Sequence, residues 1–296
     1  MRFVFCGKPP KSNSNGLQAF FDLCIAIKRL GFVAEFIPFS PDGAGGYVPI
    51  KRSQVKGSLP SPYMLYEDYV RDDLDVAVYS ETFPGNVLGL ERVIRYYGNR
   101  VGYCSATDPR LGPHEYKLCH SRQIMDKPDF VVFYINSIKL SQFQSVSPSK
   151  SRTLEVTYDG KGALYGPTPR VPNTLGLSRE WPKSNEETLQ VLRACRTLYT
   201  YDSFTQLIVE AALLGALPVV MRSDPWTLDE LRSSELTELY FVSLNEFEAA
   251  ADKKDLYLRV EAAREALVNQ VQLLQDSWLP RVFDFIGHAR AHFGIR

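Results

Sequence analysis

RFVFCGKPPKSNSNGLQAFFDLCIAIKRLGFVAEFIPF, residues 2–39, decides the class of fold. RFVFCG (2–7) is a short run of apolar, β-branched and aromatic residues that stops at Gly7, the signature of a buried strand. KPPKSNSNG (8–16) is polar and rich in turn formers, and reads as a loop. From Leu17 to Leu30, apolar side chains at 17, 20, 21, 23, 24, 27 and 30 recur at helical spacing. Gly31 closes the helix, and FVAEFIPF (32–39) returns to strand character. A strand, loop, helix and second strand in this order require a right-handed crossover and a parallel sheet, whose ligands bind beyond the carboxyl ends of the strands. The loop at 8–16 lies at such an end.

Working outward, the same alternation continues. The Gly/Pro/Ser-rich stretch 40–62 predicts a long irregular connection. DVAVYSE (75–81) reads as a strand, FPGN (83–86) as a turn, VLGLERVIRYY (87–97) as a helix ending at Gly98, and FVVFYIN (130–136) as a strong strand. SIKLSQFQSVSPSKSRTLEV (137–156) loses apolar periodicity and gains serine, which places a domain boundary near 150 and divides the chain into 1–150 and 151–296. The second half then predicts helices at about 185–195, 204–215 and 227–233, strands at 197–201, 217–221 and 239–243, and a long helical C-terminus from about 245. In LVNQVQLLQDSWLPRVFDFIGHARAHF (267–293) one face is apolar, and Pro280 is expected to kink the helix. The expectation is an α/β protein of two halves with a ligand in the cleft between them.

Composition narrows the function classes. With 45% apolar and 23% charged residues, and 34 Lys+Arg against 34 Asp+Glu in 296 residues, the chain is ordinary globular protein rather than a disordered tail. Zero net charge supplies no global field for a polyanion, so no nucleic-acid partner is expected. The longest apolar stretch (207–221) is interrupted by Glu210, Gly215 and Pro218 and falls short of the roughly 20 residues of a membrane span. MRFVFCGKPP lacks the apolar core of a signal peptide, so a cytoplasmic location is expected, with any membrane contact peripheral. Five widely spaced cysteines without a C-x-x-C pair read as small buried hydrophobes. The four histidines form no H-E-x-x-H, His288 and His292 read as solvent-facing, and no metal site is expected.

TYDSFTQLIVEAALLGALPVV (200–220) carries the chemistry. It reads as a strand end, a polar turn, and a helix that starts with Ser203 and Thr205 among unpaired backbone N–H groups, an end that attracts phosphate. Asp202 falls in the loop and Glu210 about two turns into the helix. The bland reading is that Asp202 and Ser203 cap the helix and Glu210 faces solvent. Glu210, however, interrupts an otherwise apolar run from Leu207 to Leu213, and a carboxylate in that setting needs a polar partner.

This segment resembles the donor-binding segment of GT-B glycosyltransferases, in which an acid, seven residues and a glutamate precede an alanine, a glycine and a Pro-Val pair. The counterparts here are Asp202, Glu210, Ala211, Gly215, Pro218 and Val219. In retaining members the first acid is usually glutamate and lies by the transferred sugar, while the second binds the ribose; Asp202 is one methylene shorter. GKG (Gly160, Lys161, Gly162) is similar to the Gly-Lys-Gly that opens the nucleotide-binding half, with Lys161 expected to neutralise the pyrophosphate. VYSETFPGNVLGLERVIRYYGNRVGY (78–103) is similar to a segment of bacterial surface-polysaccharide transferases and contributes Glu81, Gly85 and Asn86. In SNSNG (12–16), Asn15 and Gly16 stand where the family keeps a loop near acceptor and donor.

The resemblance implies two Rossmann-like α/β domains facing across a cleft, with the last helix crossing back to the first. It implies transfer of a sugar from a nucleotide-sugar donor to a glycan or lipid-linked glycan acceptor in bacterial surface-polysaccharide synthesis, without a metal or other cofactor. Asp202, Glu81 and His114, the last in LGPHEY (111–116), are the catalytic candidates. Arg179, Ser203, Thr205, Glu210 and the Gly-Lys-Gly would bind the donor. The acid-to-glutamate spacing favours retention. A second reading is a non-catalytic nucleotide- or sugar-binding domain of the same shape within a larger assembly; an epimerase is disfavoured because no G-x-G-x-x-G follows the first strand. Structural alternatives stand beside each motif: GKG as a tight turn, ETFPGN as a turn, and Arg179, Trp181 and Lys183 as a loop cap over the core.

Overall fold

The structure is a computed structural model that describes residues 1–10, 14–103, 112, 114–143, 152–178 and 180–295. The chain forms two compact units, Met1–Tyr134 with Asp276–Arg296, and Ile135–Gln275.

The first unit is built on seven strands: β1 (Arg2–Gly7), β2 (Val33–Pro41), β3 (Tyr47–Pro49), β4 (Asp75–Ser80), β5 (Val93–Tyr97), β6 (Tyr116–Cys119) and β7 (Phe130–Val131). They lie in the order β3-β2-β1-β4-β5-β6-β7, all parallel except the antiparallel edge strand β3. Helix α1 (Asn15–Arg29) makes the crossover from β1 to β2. The strands are apolar on both faces because both are covered. Phe3, Phe5, Val76, Val78, Ile94 and Leu118 face a core shared with Phe20, Leu23 and Ile27 of α1 and with Val282 and Phe285. Val4, Cys6, Ala77 and Tyr79, the alternate residues, face a second core closed by Phe83, Leu88 and Leu90.

That second core explains where the local reading failed. Residues 87–97 are not a helix: 81–92 is an irregular segment laid across the sheet, and β5 starts only at Val93. Gly85 and Gly89 sit at φ +67° and +61°, left-handed values that interrupt a helix. Leu88, Leu90 and Val93 are apolar because they pack on the sheet face, a pattern whose spacing also fits a helix. The run 130–136 yields only Phe130–Val131 as strand, and stretch 40–62 contains β3. His288 and His292 are exposed yet rest their rings against Tyr116, whose hydroxyl lies 2.8 Å from His288 Nδ1.

The second unit carries a fully parallel sheet of β8 (Leu154–Tyr158), β9 (Leu175–Leu177), β10 (Cys195–Thr200), β11 (Leu217–Val220) and β12 (Val242–Ser243), in the order β12-β11-β10-β8-β9. Its helices are α2 (Asn185–Ala194), α3 (Gln206–Leu213), α4 (Leu228–Arg232), α5 (Leu244–Ala249) and α6 (Lys253–His292). Ser184, Thr205, Thr227 and Ser243 cap α2 to α5 with their hydroxyls. Helix α6 contains Pro280, and its residues from Asp276 onward belong to the first unit. Among the described residues no helix is long and apolar enough to cross a membrane. The four described cysteines are buried thiols; Cys104 lies outside the described residues.

Candidate functional site

Strand order locates a crevice in each sheet. In the second unit β9 lies on one side of β8 and β10 to β12 on the other, so the topology reverses between β8 and β10, the position where ligands of such sheets bind. The segments that leave those two strands are 159–162 and 201–206, and they contain the Gly-Lys-Gly, Asp202, Ser203 and Thr205. The fold therefore brings together two stretches 40 residues apart that the sequence singled out separately.

Gly160–Tyr165 is a short 3₁₀ helix, begun by Asp159, whose Oδ1 accepts from Gly160 N at 2.7 Å. It packs directly on the end of β10. A Cβ at Gly162 would come within 2.2 Å of the Tyr201 carbonyl oxygen, and one at Gly160, where φ is +47°, within 2.7 Å of Asp202. The glycines thus let chain approach chain, a use independent of any phosphate. Asp202, only 2% exposed, accepts from Lys161 N at 3.0 Å through Oδ2, and its Oδ1 lies 3.6 Å from the Lys161 ammonium. That ammonium also donates to the Phe204 carbonyl at 3.0 Å. Asp202 and Lys161 accordingly hold each other and the two segments in place.

The turn into α3 is equally built. Thr200 Oγ1 donates to the Asp202 carbonyl at 3.0 Å and accepts from Asp202 N at 3.1 Å. Ser203, buried, donates to the Ser223 carbonyl at 2.9 Å, and Thr205 caps α3 by accepting from Leu207 N at 3.4 Å. Glu210 is 4% exposed, so it does not face solvent. Desolvation pushes its carboxyl up to about 7, against the opposing hydrogen bond from Gln206 Nε2 at 2.6 Å. Gln206 Oε1 in turn accepts from Ser137 Oγ at 2.5 Å, completing the polar partnership that a carboxylate in this helix requires. Arg179 lies outside the described residues.

Arg222, two residues past β11, escaped the sequence reading. Its Nη2 donates to the Gly162 carbonyl at 2.5 Å and its Nη1 to the Tyr165 carbonyl at 3.3 Å, and its guanidinium lies 5.8 Å from the Tyr201 ring centroid. A cation just beyond the carboxyl end of the buried strand LPVV is the only signal that could have found it.

In the first unit the order reverses between β1 and β4. Glu81 follows β4 directly and accepts from Gly98 N at 3.1 Å. Arg95, with no exposed surface, spends all five N–H groups nearby: two on Glu115 at 2.8 and 2.9 Å, and the others on the carbonyls of Phe83 (2.7 Å), Gly85 (3.0 Å) and Ser80 (3.4 Å). Asn86 closes the same loop, accepting from Tyr79 Oη at 3.0 Å and donating to the Leu90 carbonyl at 2.7 Å. Gly85 and Asn86 are thus parts of the loop's framework. Asn15 and Gly16 are exposed in the first turn of α1; Ser12 and Asn13 lie outside the described residues.

His114 sits elsewhere than expected. It is exposed in a turn two residues before β6 and therefore at the amino edge of the sheet, about 13 Å of strand away from the carboxyl ends. The histidine at the carboxyl edge is His120, directly after β6, with Nδ1 3.4 Å from both Tyr96 Oη and Tyr134 N. A histidine closing the apolar strand YKLC was its signal in the sequence. Among the described residues no group of three or more His, Cys, Asp or Glu is placed to hold a metal ion.

No protein-family model matches the chain, and no curated protein matches it in sequence. Among solved structures it is similar to an alpha-glucosyltransferase (AGT) in complex with UDP, with a TM-score of 0.41 and 9% identity over 96% of this chain and 95% of that one.

Proposed function

We propose that the protein is a glycosyltransferase whose second unit binds a nucleotide-sugar donor at the β8/β10 crevice. The single observation that carries this reading is the convergence there of the Gly160–Tyr165 turn and the α3 entry loop, joined by the contacts of Lys161 with Asp202 and the Phe204 carbonyl. Departure of a nucleoside diphosphate develops negative charge, and the start of α3 with the nearby cations Lys161 and Arg222 suits that demand. The first unit supplies the acceptor side, with Glu81 and His120 at the carboxyl edge of its sheet as candidates to handle the proton of an acceptor hydroxyl. A glycan or lipid-linked glycan acceptor in bacterial surface-polysaccharide synthesis rests on the 78–103 resemblance. Retention rests on the Asp202 to Glu210 spacing, and independence of a metal on the start of α3 and the cations beside it, which answer the leaving group's charge.

A second reading, a nucleotide- or sugar-binding domain without turnover, is favoured by one observation. Asp202, the acid expected beside the transferred sugar, is buried and held by Lys161.

The test is calorimetric titration with UDP, GDP, CMP and their sugars, followed by assay of donor turnover. Binding of one nucleotide family at micromolar Kd, weakened at least tenfold in Glu210→Gln, is the expected result. Binding with turnover selects the transferase, and binding without turnover on any glycan acceptor or water selects the second reading. No nucleotide binding at millimolar concentration would overturn both.

A further inference from the structure

Arg222 is a cation that the rest of the crevice does not neutralise. It is only partly exposed, its two hydrogen-bond partners are neutral carbonyls, and among the described residues no carboxylate lies within ion-pair distance of it. Its Nε is buried and without a hydrogen-bond partner. The charge is thus left without a counter-ion at the edge of the crevice, where an anion would supply one. Lys161, the cation marked in the sequence, is in contrast already paired with Asp202 and bonded to the Phe204 carbonyl.

The position strengthens the point. Arg222 leaves the carboxyl end of β11, and its neighbour Ser223 receives the Ser203 hydroxyl from the loop that opens α3. A guanidinium keeps a planar fork of five N–H groups; two here go to carbonyls and the Nε–H is buried, which leaves one proton on each Nη to meet the oxygens of a phosphate.

We infer that Arg222, rather than Lys161, is the charged anchor for a phosphate or diphosphate group at the β8/β10 crevice. In the donor reading, on which the nucleotide part of this inference rests, Arg222 holds the pyrophosphate of the nucleotide sugar. Its hold on Gly162 and Tyr165 then makes the order of the 160–165 turn depend on the same side chain that meets the ligand.

The experiment titrates inorganic pyrophosphate, UDP and GDP into wild type, Arg222→Gln, Arg222→Lys and Arg259→Gln, the last removing an exposed arginine of α6 as a control for overall charge. Expected are a loss of at least tenfold in pyrophosphate affinity for Arg222→Gln, partial recovery for Arg222→Lys, which keeps the charge but not the fork, and little change for Arg259→Gln. Equal binding by wild type and Arg222→Gln, an equal loss in Arg259→Gln, or no pyrophosphate binding by wild type would each overturn the inference. Should Arg222→Gln fail to fold, hydrogen exchange on wild type decides: pyrophosphate must slow exchange at 160–166 and 221–223, and unchanged rates overturn the proposal. The nucleotide arm separates the two readings. Pyrophosphate bound through Arg222 without nucleotide binding retains the anion anchor and removes the donor reading, and a nucleotide bound equally by wild type and Arg222→Gln does the reverse.

Discussion

Glu210 shows how a single buried residue can carry a measurable signature of its surroundings. Its carboxyl titrates near 7 because burial disfavours the charged form, with the Gln206 amide opposing. In the unfolded chain the same group titrates near its ordinary 4.5. Between those values the folded state binds more protons than the unfolded state, so stability falls as pH rises from about 4.5 to about 7 and is level above. The effect is on the order of 3 kcal/mol if the shift is fully expressed. Urea unfolding of wild type and Glu210→Gln at pH 5, 6, 7 and 8 checks it: the wild type should lose stability across this range more steeply than the variant, and parallel profiles would show that Glu210 does not titrate as argued. At this scale the sequence was informative where chemistry repeats a pattern. Asp202, Ser203, Thr205, Glu210 and the Gly-Lys-Gly were legible because they stand at strand ends and helix starts with distinctive spacing. Arg222, His120 and Arg95 were not, since each acts alone and its meaning lies in partners 10 or more residues away.

Among the elements, the loop after β4 depends on a buried ion pair more than on its own turn residues. Arg95 has no exposed surface and Glu115 is nearly covered. A buried pair adds little stability over a well-packed apolar pair, but removing one partner strands the other charge. Arg95→Met should therefore cost about 3–5 kcal/mol, while Arg95→Met with Glu115→Leu should recover most of that in denaturant titrations. The loop should nonetheless remain looser in the double variant, because the carbonyls of Ser80, Phe83 and Gly85 lose their common donor. Faster hydrogen exchange at 81–88 in the refolded double variant would show it, and unchanged exchange would mean that the aromatic stack of Tyr79 and Phe83 suffices. The same loop marks the limit of reading elements from periodicity. The first βαβ unit was legible because Gly7 and Gly31 punctuate it and α1 buries one clear stripe. VLGLERVIRYY was misread because residues packed flat on a sheet and residues on a helix face can share a spacing, and only the cover over Val4, Cys6 and Tyr79 distinguishes them.

For the molecule as a whole, the first unit is completed by residues far along the chain. Trp278, Val282, Phe285 and Ile286 of α6 are buried in the core that also holds Phe3, Phe5, Val76 and Phe20. Four such side chains at roughly 1.5–3 kcal/mol each contribute about 6–12 kcal/mol, comparable to the 5–15 kcal/mol net stability of an ordinary domain. Cutting the chain after Gln275 should consequently leave residues 1–134 unable to hold their sheet, although all seven strands are present. The second unit keeps its five strands and the part of α6 that ends at Gln275. Limited proteolysis of a 1–275 chain should therefore cut first within 1–134 and leave a resistant fragment from the second half, and the crevice at β8/β10 should still bind pyrophosphate. Phe285→Ala in the full chain is the milder form of the same test and should cost about 3–5 kcal/mol, read as a lower urea midpoint for the first unit. Protected amides throughout β1, β4 and β5 in the 1–275 chain would show instead that α1 and the 81–92 segment are cover enough, and that α6 adds stability without deciding whether the first sheet forms.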